Sequence, residues 1–110
     1  MKFKNMFSPI QIGPMTVKNR FVVPPMGNNF ANSDGTWSDE SVAYYGERAK
    51  GQFGLITIEA TVVHKGAKGG PKKPCLYDDN SIESLKKITD ACHAEGAKVS
   101  IQLQNAGPEG

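Results

Sequence analysis

The segment "GLITIEA", residues 54–60, gives the clearest indication of the fold. It is a continuous apolar run rich in β-branched residues, bounded by Gly54 and by a long loop that follows. Such a run is typical of a strand that is buried on both faces, as the strands of a parallel sheet are. A parallel sheet requires crossover connections, so the sequence on either side should contain helices.

The segment before this strand, residues 38–50, has the pattern of an amphipathic helix. Ser38 can cap its N-terminus, and the acidic first turn suits the positive end of the helix dipole. Apolar residues then recur at spacings of three and four: Val42, Tyr45 and Ala49. Gly51 is predicted to end this helix as its C′ residue.

A second helix is predicted after the strand, over residues 81–95, opened by Asn80 or Ser81 and closed by Gly96. One of its faces is apolar, with Ile82, Leu85, Ile88 and Cys92. "AKVSIQL", residues 97–103, follows as a third strand.

The first strand is "RFVVP", residues 20–24, and it stops abruptly because Pro24 and Pro25 cannot donate ladder hydrogen bonds. Two short runs of β-type residues around a Gly-Pro pair precede it over residues 10–19, and they predict a β-hairpin. Taken alone, the prolines need only mark the end of a strand.

The predicted order is hairpin, β, α, β, α, β, which belongs to the α/β class with right-handed crossovers. Helices near a dozen residues suit either an open doubly wound sheet or a closed (β/α) barrel. Three strands cannot close a barrel, and a complete one needs roughly 250 residues. We therefore expect residues 1–110 to be the N-terminal segment of a larger domain.

Composition narrows the function classes. The 110 residues are 38% hydrophobic and 22% charged, which fits an ordered domain, and a formal net charge of +2 favours neither nucleic acid nor a membrane surface as a partner. The two cysteines, Cys75 and Cys92, lack metal-ligand spacing, so we expect free thiols and no metal. No signal peptide or transmembrane run is present in the sequence, and we expect a cytoplasmic protein.

Ligands of parallel α/β folds gather at the carboxyl ends of the strands. Here these ends carry bare backbone beside small or amide side chains, and none has a nucleophile with an adjacent base. GxSxG, HExxH and GxGxxG motifs are absent, and "GAKGGPKK" (66–73) has Pro71 where a phosphate loop needs its second glycine. This arrangement suits edge-on hydrogen bonding to a flat heteroaromatic cofactor.

Four stretches resemble one known family in order and spacing: "MFSPIQIGPMTVKNRFVVPPM" (6–26), "YYGERAKGQFGLITIEAT" (44–61), "DACHAEGAKVSIQL" (90–103) and "NAG" (105–107). The chain resembles the Old Yellow Enzyme family over essentially its whole length. The similarity is greatest to the NADH:flavin oxidoreductase branch with the 2,4-dienoyl-CoA reductase and enoate reductase types.

The resemblance implies the hairpin plus the β-α-β-α-β portion of a TIM (β/α)8 barrel that binds FMN, incomplete in this chain. It implies hydride transfer from NADH or NADPH through FMN to an activated alkene, so the partner would be a small unsaturated carbonyl compound. A full-length parent of this branch can also carry FAD and a 4Fe–4S cluster.

The resemblance also implies the cofactor-binding residues. Pro25, Met26 and Gly27 would lie against the flavin, and their backbone would reach the N5 and O4 region. Ala60 would touch the polar edge of the ring through its backbone. Gln102 would pair with the pyrimidine part, because an amide donates and accepts at once. Gly27 stands where many members have a Thr or Cys that tunes the flavin.

One loop departs from the family pattern. Where relatives read Gln-Leu-x-His-Ala-Gly-Arg, this chain has Asn105 in place of the His and Pro108 in place of the Arg. Asn105 is a candidate for shaping the substrate side of the pocket. No catalytic residue is expected within the segment, since the substrate-binding pair and the proton donor of the family lie further along the barrel.

Two alternatives stay open. The chain could be a non-catalytic segment that acts only by docking onto the rest of a barrel, with exposed strand edges driving oligomers. It could also be part of an unrelated (β/α)-barrel lyase or isomerase that uses Glu59. Taken alone, Glu59 is better explained as a group in a structural salt bridge or hydrogen bond, with Arg48 as a candidate partner, and Gln102 as a satisfied polar core residue. The long loop that follows residues 54–60 contains a run of basic residues, which are expected to be solvated or to meet an anionic substrate tail: Lys65, Lys68, Lys72 and Lys73.

Overall fold

The computed structural model describes residues 3–64 and 72–105. It contains five strands and two α-helices: β1 (Ile10–Ile12), β2 (Met15–Val17), β3 (Val22–Val23), α1 (Asp39–Lys50), β4 (Leu55–Val62), α2 (Ile82–Ala94) and β5 (Lys98–Gln104). A 3-10 turn over Asp79–Ser81 leads into α2. Neither helix among these residues has the length and hydropathy that crossing a bilayer requires.

Strands β3, β4 and β5 form one parallel sheet in that order, and β1 and β2 form a separate antiparallel hairpin. Val22 pairs with Leu55, and Leu55 in turn pairs with Lys98, so the three strands start level with one another. The predicted α/β class is therefore confirmed, and the three parallel strands of the described residues form an open sheet.

The helix ends follow from their capping residues, with one difference from the prediction. The Ser38 hydroxyl accepts from the Ser41 N–H at 3.2 Å and caps α1 as expected. Gly51, however, has φ −71°, and the left-handed residue after α1 is Gln52 with φ +69°. Gly51 therefore ends α1 as predicted, but as its C-cap and not as the C′ residue, whereas Gly96 after α2 does adopt φ +81°.

The strand bounds differ from the predicted ones at their carboxyl ends. β3 comprises Val22–Val23 rather than residues 20–24, and it ends at Val23 because Pro24 and Pro25 cannot donate ladder hydrogen bonds. β4 continues past Ala60 to Val62, where it pairs with Cys75 of the following segment. Ala60 is therefore inside the strand and not at its last position.

β4 contains a bulge just before its end. Ile58 pairs with Ile101 and Thr61 pairs with Leu103, so β4 has one residue more than β5 between these two pairs. The extra residue lies at Glu59–Ala60. A bulge breaks the strict alternation of side chains and directs a residue to the other face of the sheet. Accordingly Ile58 and Glu59, which are consecutive, are both buried.

The two helices cover only one face of the sheet. The main core lies there and is formed by Val23, Trp37, Tyr45, Ala49, Ile56, Ile58, Ile88, Cys92 and Ala97. On the other face, the hydroxyls of Thr57 and Ser100 lie 2.7 Å apart at an exposed position. The sheet thus has one dry face and one polar face that the described residues leave uncovered.

Asn19 joins the hairpin to the start of β4. Its side-chain oxygen accepts from the Phe21 N–H at 3.0 Å and from the Gly54 N–H at 2.9 Å. Its amide nitrogen donates to the Gln52 carbonyl at 2.7 Å, and the residue is only 6% exposed. A buried amide whose donor and acceptor are both used fixes the two segments relative to each other.

Gly54 is the position where this arrangement is least tolerant of substitution. A Cβ there would lie 2.7 Å from Asn19 Oδ1 and 2.7 Å from Val17 Cγ1. We expect Gly54→Ala to lower the free energy of unfolding by about 1–3 kcal/mol, because neither the hydrogen-bonded amide nor the packed valine can move away freely. Urea unfolding measures the change.

Gly46→Ala is the matched control, since a Cβ in the middle of α1 would approach only Ala91 Cβ at 3.9 Å. It should raise the free energy of unfolding by roughly 0.5–1 kcal/mol through helix propensity. Equal effects of the two substitutions would contradict the close contact inferred at Gly54.

Candidate functional site

The carboxyl ends of β3, β4 and β5 meet at one margin of the sheet, which we call the carboxyl edge. It consists of the Pro25–Asn28 segment after β3, the Glu59–Ala60 bulge of β4 and the Gln102–Gln104 end of β5. Because the sheet is parallel, these three segments come together at the end of the fold where α/β proteins bind ligands.

The bulge brings together two of the predicted cofactor-binding residues, Ala60 and Gln102. Gln102 lies between Ile101 and Leu103 in β5, so its backbone faces the extra residue at Glu59–Ala60. Its side chain is exposed and follows Ser100 by two positions, which places it on the polar, uncovered face. It is not the buried core residue that a single glutamine in a strand would suggest.

The turn after β3 supplies bare backbone to the same edge. Met26 is 48% exposed, Gly27 is exposed, and Pro25 is half-buried. Gly27 does not have a left-handed backbone, and a Cβ there would meet only Lys73 Nζ, at 3.4 Å. The local fold therefore does not require glycine at this position, and its main effect is to leave space open at the edge.

Lys73 is a residue of this edge that the sequence did not indicate. It is half-buried and its ammonium lies beside Gly27, whereas a solvated loop was expected. The reason is a backbone connection: the Val62 N–H donates to the Pro74 carbonyl at 2.9 Å, and the Leu76 N–H donates to the Val62 carbonyl at 2.7 Å. These bonds hold the segment from 72 to 76 alongside the end of β4.

The other lysines of this basic run differ from Lys73. Lys72 is exposed, as a solvated loop predicts. Lys65 and Lys68 lie outside the described residues.

Glu59 is buried, with 1% of its surface exposed, and so is Tyr45 of α1. The Tyr45 hydroxyl accepts from the Glu59 N–H at 3.0 Å and donates to Glu59 Oε1 at 3.2 Å. The other carboxylate oxygen, Oε2, accepts from the Asn28 N–H at 3.3 Å. One side chain thus connects α1, the β4 bulge and the residue that follows Gly27.

The surroundings of this carboxyl disfavour its charge. Burial raises the pKa of Glu59 above its ordinary value, against the opposing effects of the Asn28 N–H, the Tyr45 hydroxyl and the Lys73 charge. Burial also raises the pKa of the Tyr45 phenol, which therefore stays protonated and able to donate.

Arg48 is not the partner of Glu59, and that expectation was wrong. Its guanidinium carbon lies 3.6 Å from the centroid of the Tyr44 ring, and Nη1 donates to the Tyr44 carbonyl. A cation stacked on an aromatic face is stabilised without a carboxylate. Glu59 is also buried, which gives no support to its use as a base that must reach a substrate proton.

Two buried amide atoms at the edge lack hydrogen-bond partners in the described part of the chain, namely Asn28 Nδ2 and Gln104 Oε1. One is a donor next to the β3 turn and the other is an acceptor at the end of β5. Unpaired buried polar atoms are costly, and a flat ligand that carries both donors and acceptors is chemically suited to such an edge.

Asn105, the predicted pocket-shaping residue, is exposed directly after β5. Pro108 lies outside the described residues.

Cys75 and Cys92 are buried free thiols, and burial raises the pKa of Cys92 to about 11. Within residues 3–64 and 72–105, no three His, Cys, Asp or Glu side chains are grouped as metal ligands.

Tyr45→Phe removes the hydroxyl that both accepts from and donates to Glu59. We expect a loss of about 1–3 kcal/mol in the free energy of unfolding, because a buried N–H and a buried carboxyl oxygen lose their partner. Tyr44→Phe keeps the ring that contacts Phe30 and Arg48, and it should change stability by less than about 0.5 kcal/mol. Similar losses from both substitutions, measured by urea unfolding, would contradict the assignment.

Solved structures of known proteins match this fold closely. A 2-naphthoyl-CoA reductase in complex with 2-naphthoyl-CoA superimposes with a TM-score of 0.92 at 34% identity, over 97% of this chain and 16% of that one. The old yellow enzyme from Trypanosoma cruzi gives 0.90 at 36% identity, over 100% of this chain and 29% of that one. Morphinone reductase in complex with tetrahydroNAD gives 0.87 at 30% identity, over 96% and 28%.

The chain therefore spans less than a third of the length of each of these proteins. Residues 5–110 also match the family model of the NADH:flavin oxidoreductases and NADH oxidases. The family model and these structural matches each cover nearly the whole chain. The chain belongs to the NADH:flavin oxidoreductase / NADH oxidase family.

Proposed function

We propose that this chain forms one side of the FMN site of an NAD(P)H-dependent oxidoreductase that reduces activated alkenes. The observation that carries the proposal is the meeting of three segments at the carboxyl edge: the Pro25–Gly27 turn, Ala60 in the bulge and Gln102 in β5. Family membership supports the FMN-dependent redox class, and the edge supplies the residues that would hold the ring.

Each of these residues has a role that suits its chemistry. The Gln102 amide can donate and accept together, as pairing with a pyrimidine-dione edge requires. Ala60 and Gly27 have small side chains or none, so a planar ring can approach their backbone. Met26, which is 48% exposed, can cover part of a ring with a flexible apolar side chain.

FMN would supply the redox chemistry, namely a hydride taken from NADH or NADPH and delivered to an electron-poor carbon–carbon double bond. The residues of this chain would position the ring edge and exclude water from it. Asn105 would lie on the substrate side of the same edge.

The substrate is proposed to be a small unsaturated carbonyl compound, such as an enoate or an enoyl thioester. The reductase complexed with 2-naphthoyl-CoA and the reductase complexed with tetrahydroNAD support the thioester and the nicotinamide, respectively. FAD and a 4Fe–4S cluster would belong only to a longer parent protein. Residues 3–64 and 72–105 have no grouped metal ligands to assign to a cluster.

FMN should bind weakly to the 110 residues alone, without turnover. In complete barrels of this architecture the phosphate is held by loops after the seventh and eighth strands, and the described residues of this chain form three parallel strands. A ring edge without its phosphate site is expected to give a Kd of about 1 mM, or roughly 4 kcal/mol.

An NMR titration of the 15N-labelled chain with FMN tests the proposal. The amides of Gly27, Ala60 and Gln102 should shift in fast exchange, and Gln102→Leu should reduce the shifts at the other two. Gln11→Leu is the matched control, because Gln11 is an exposed glutamine of the separate hairpin. Shifts confined to other regions would contradict the site, and tight stoichiometric binding would contradict the need for the distant phosphate loops.

A second candidate function is docking onto a complementary barrel segment or a second copy of the chain. β3 and β5 are the two edge strands of the sheet, and the strand residues Val22 and Leu103 are 48% and 62% exposed. Exposed apolar edge strands are templates for further strand pairing.

Light scattering after size exclusion separates this candidate from the first. Docking through the edge predicts oligomers that grow with concentration and that Leu103→Lys weakens. Ile82→Lys, at a residue 57% exposed on α2, should leave the oligomers unchanged. A monomer at every concentration would rule out docking onto a second copy of the chain.

A further inference from the structure

Glu59 is a buried carboxyl group that contacts both backbone segments of the carboxyl edge. Glu59 is followed in the chain by Ala60. The Oε2 atom of Glu59 accepts from the N–H of Asn28, which is the residue after Gly27. A single side chain therefore lies one residue away from each of two proposed cofactor contacts.

Packing alone does not explain an acid at this position. Burying a carboxyl group is costly, and replacement of buried ionic groups by apolar residues is often neutral or stabilising. Glu59 has no ion pair among the described residues, and its partners are the Tyr45 hydroxyl and one backbone N–H. A role in placing the backbone would account for keeping such a group.

The geometry leaves the carboxyl group little freedom. The β4 bulge directs Glu59 toward α1, where the Tyr45 hydroxyl binds both its N–H and its Oε1. Its Oε2 then points at the turn after β3. Asn28 is itself held in place, since its Oδ1 accepts from the Phe30 N–H at 3.0 Å.

We propose that Glu59 is a positioning residue that sets the distance between the Pro25–Gly27 turn and the Ala60 backbone, and so the fit of the flavin ring between them. This inference rests on the proposed FMN site, and it adds a residue that is not expected to touch the cofactor. Asn28 is the group through which Glu59 acts on the turn.

The protonation state of Glu59 bears on the strength of this connection. A carboxylate accepts the Asn28 N–H more strongly than a neutral acid does. The charged and titratable groups around Glu59 are Tyr45 from α1 and Lys73 from the segment before Cys75. As the pH falls, Glu59 becomes protonated and its hydrogen bond with the Asn28 N–H weakens. Because the pKa of Glu59 is raised, this weakening should begin at a higher pH than it would for an ordinary glutamate.

Amide hydrogen exchange on Glu59→Gln tests the role, with Glu83→Gln as the control at an exposed position of α2. We expect exchange of the Asn28 amide to accelerate at least about tenfold more than that of the Ile56 and Ile88 amides. A purely structural role would accelerate all three equally, and that result would overturn the proposal.

FMN titrations of the same proteins provide the second readout. In Glu59→Gln the FMN-induced shifts at Gly27 and Ala60 should require about tenfold more FMN than in the unmodified chain, and Glu83→Gln should match the unmodified chain. Equal FMN dependence in Glu59→Gln and the unmodified chain would overturn the positioning role. Absence of FMN shifts in the unmodified chain would instead refute the proposed function, while Asn28 exchange still judges the Glu59 connection.

A measurement on the unmodified protein covers the case in which Glu59→Gln does not fold. In a pH titration, the Glu59 side-chain carboxyl 13C signal and the Asn28 amide proton should move with one common midpoint, above the ordinary glutamate value of about 4.3. An Asn28 amide that does not follow the Glu59 carboxyl signal would overturn the proposal.

Discussion

The hydrogen bonds between Tyr45 and Glu59 hold α1, the β4 bulge and the turn after β3 at fixed positions relative to one another. Both side chains are buried, and the phenol oxygen serves as acceptor for the Glu59 N–H and as donor to its carboxyl group. Through them α1 is fixed to the bulge of β4, and through Asn28 the bulge is fixed to the turn after β3. Apart from this connection, the turn after β3 and the β4 bulge are linked by the short ladder of Val22 and Val23 with Leu55 and Ile56.

The two faces of the sheet differ in composition, since one contains the apolar core and the other is polar and contains the proposed contact residue Gln102. The helix-covered face contains the apolar core, and it is there that the buried acid and phenol lie. The uncovered face presents hydroxyl and amide groups, with Thr57 paired to Ser100 and Gln102 exposed beside the bulge. Because of the bulge, two consecutive residues have different surroundings: Glu59 faces the core side of the sheet and Ala60 lies at the carboxyl edge.

Much of the fold could be predicted from sequence because local signals agreed with the global arrangement. The apolar run of β4, the cap at Ser38 and the glycine after α2 each indicate one structure only. The family resemblance then gave the incomplete barrel. The exposed Gln102 and the bare backbone at Gly27 lie at the carboxyl edge, where that resemblance put them, and their cofactor roles stay predictions.

The remaining features depend on long-range contacts that no local pattern encodes. The bulge arises from the register of β4 against β5, and it is this register that buries Glu59 beside Tyr45 rather than beside Arg48. Lys73 reaches the edge because Val62 pairs with residues more than ten positions away. The left-handed residue after α1 falls on Gln52, whose carbonyl accepts from Asn19 and whose side chain accepts from Lys18.

A double-mutant cycle between Tyr45 and Glu59 measures how strongly the two side chains depend on each other. Urea unfolding of Tyr45→Phe, Glu59→Gln and the double variant gives the coupling free energy between the two side chains. If their hydrogen bonds hold α1, the bulge and the turn together, the coupling should be at least about 1 kcal/mol. Additive losses, agreeing within about 0.5 kcal/mol, would show that Tyr45 and Glu59 stabilise the fold independently and that their hydrogen bonds do not hold these segments together.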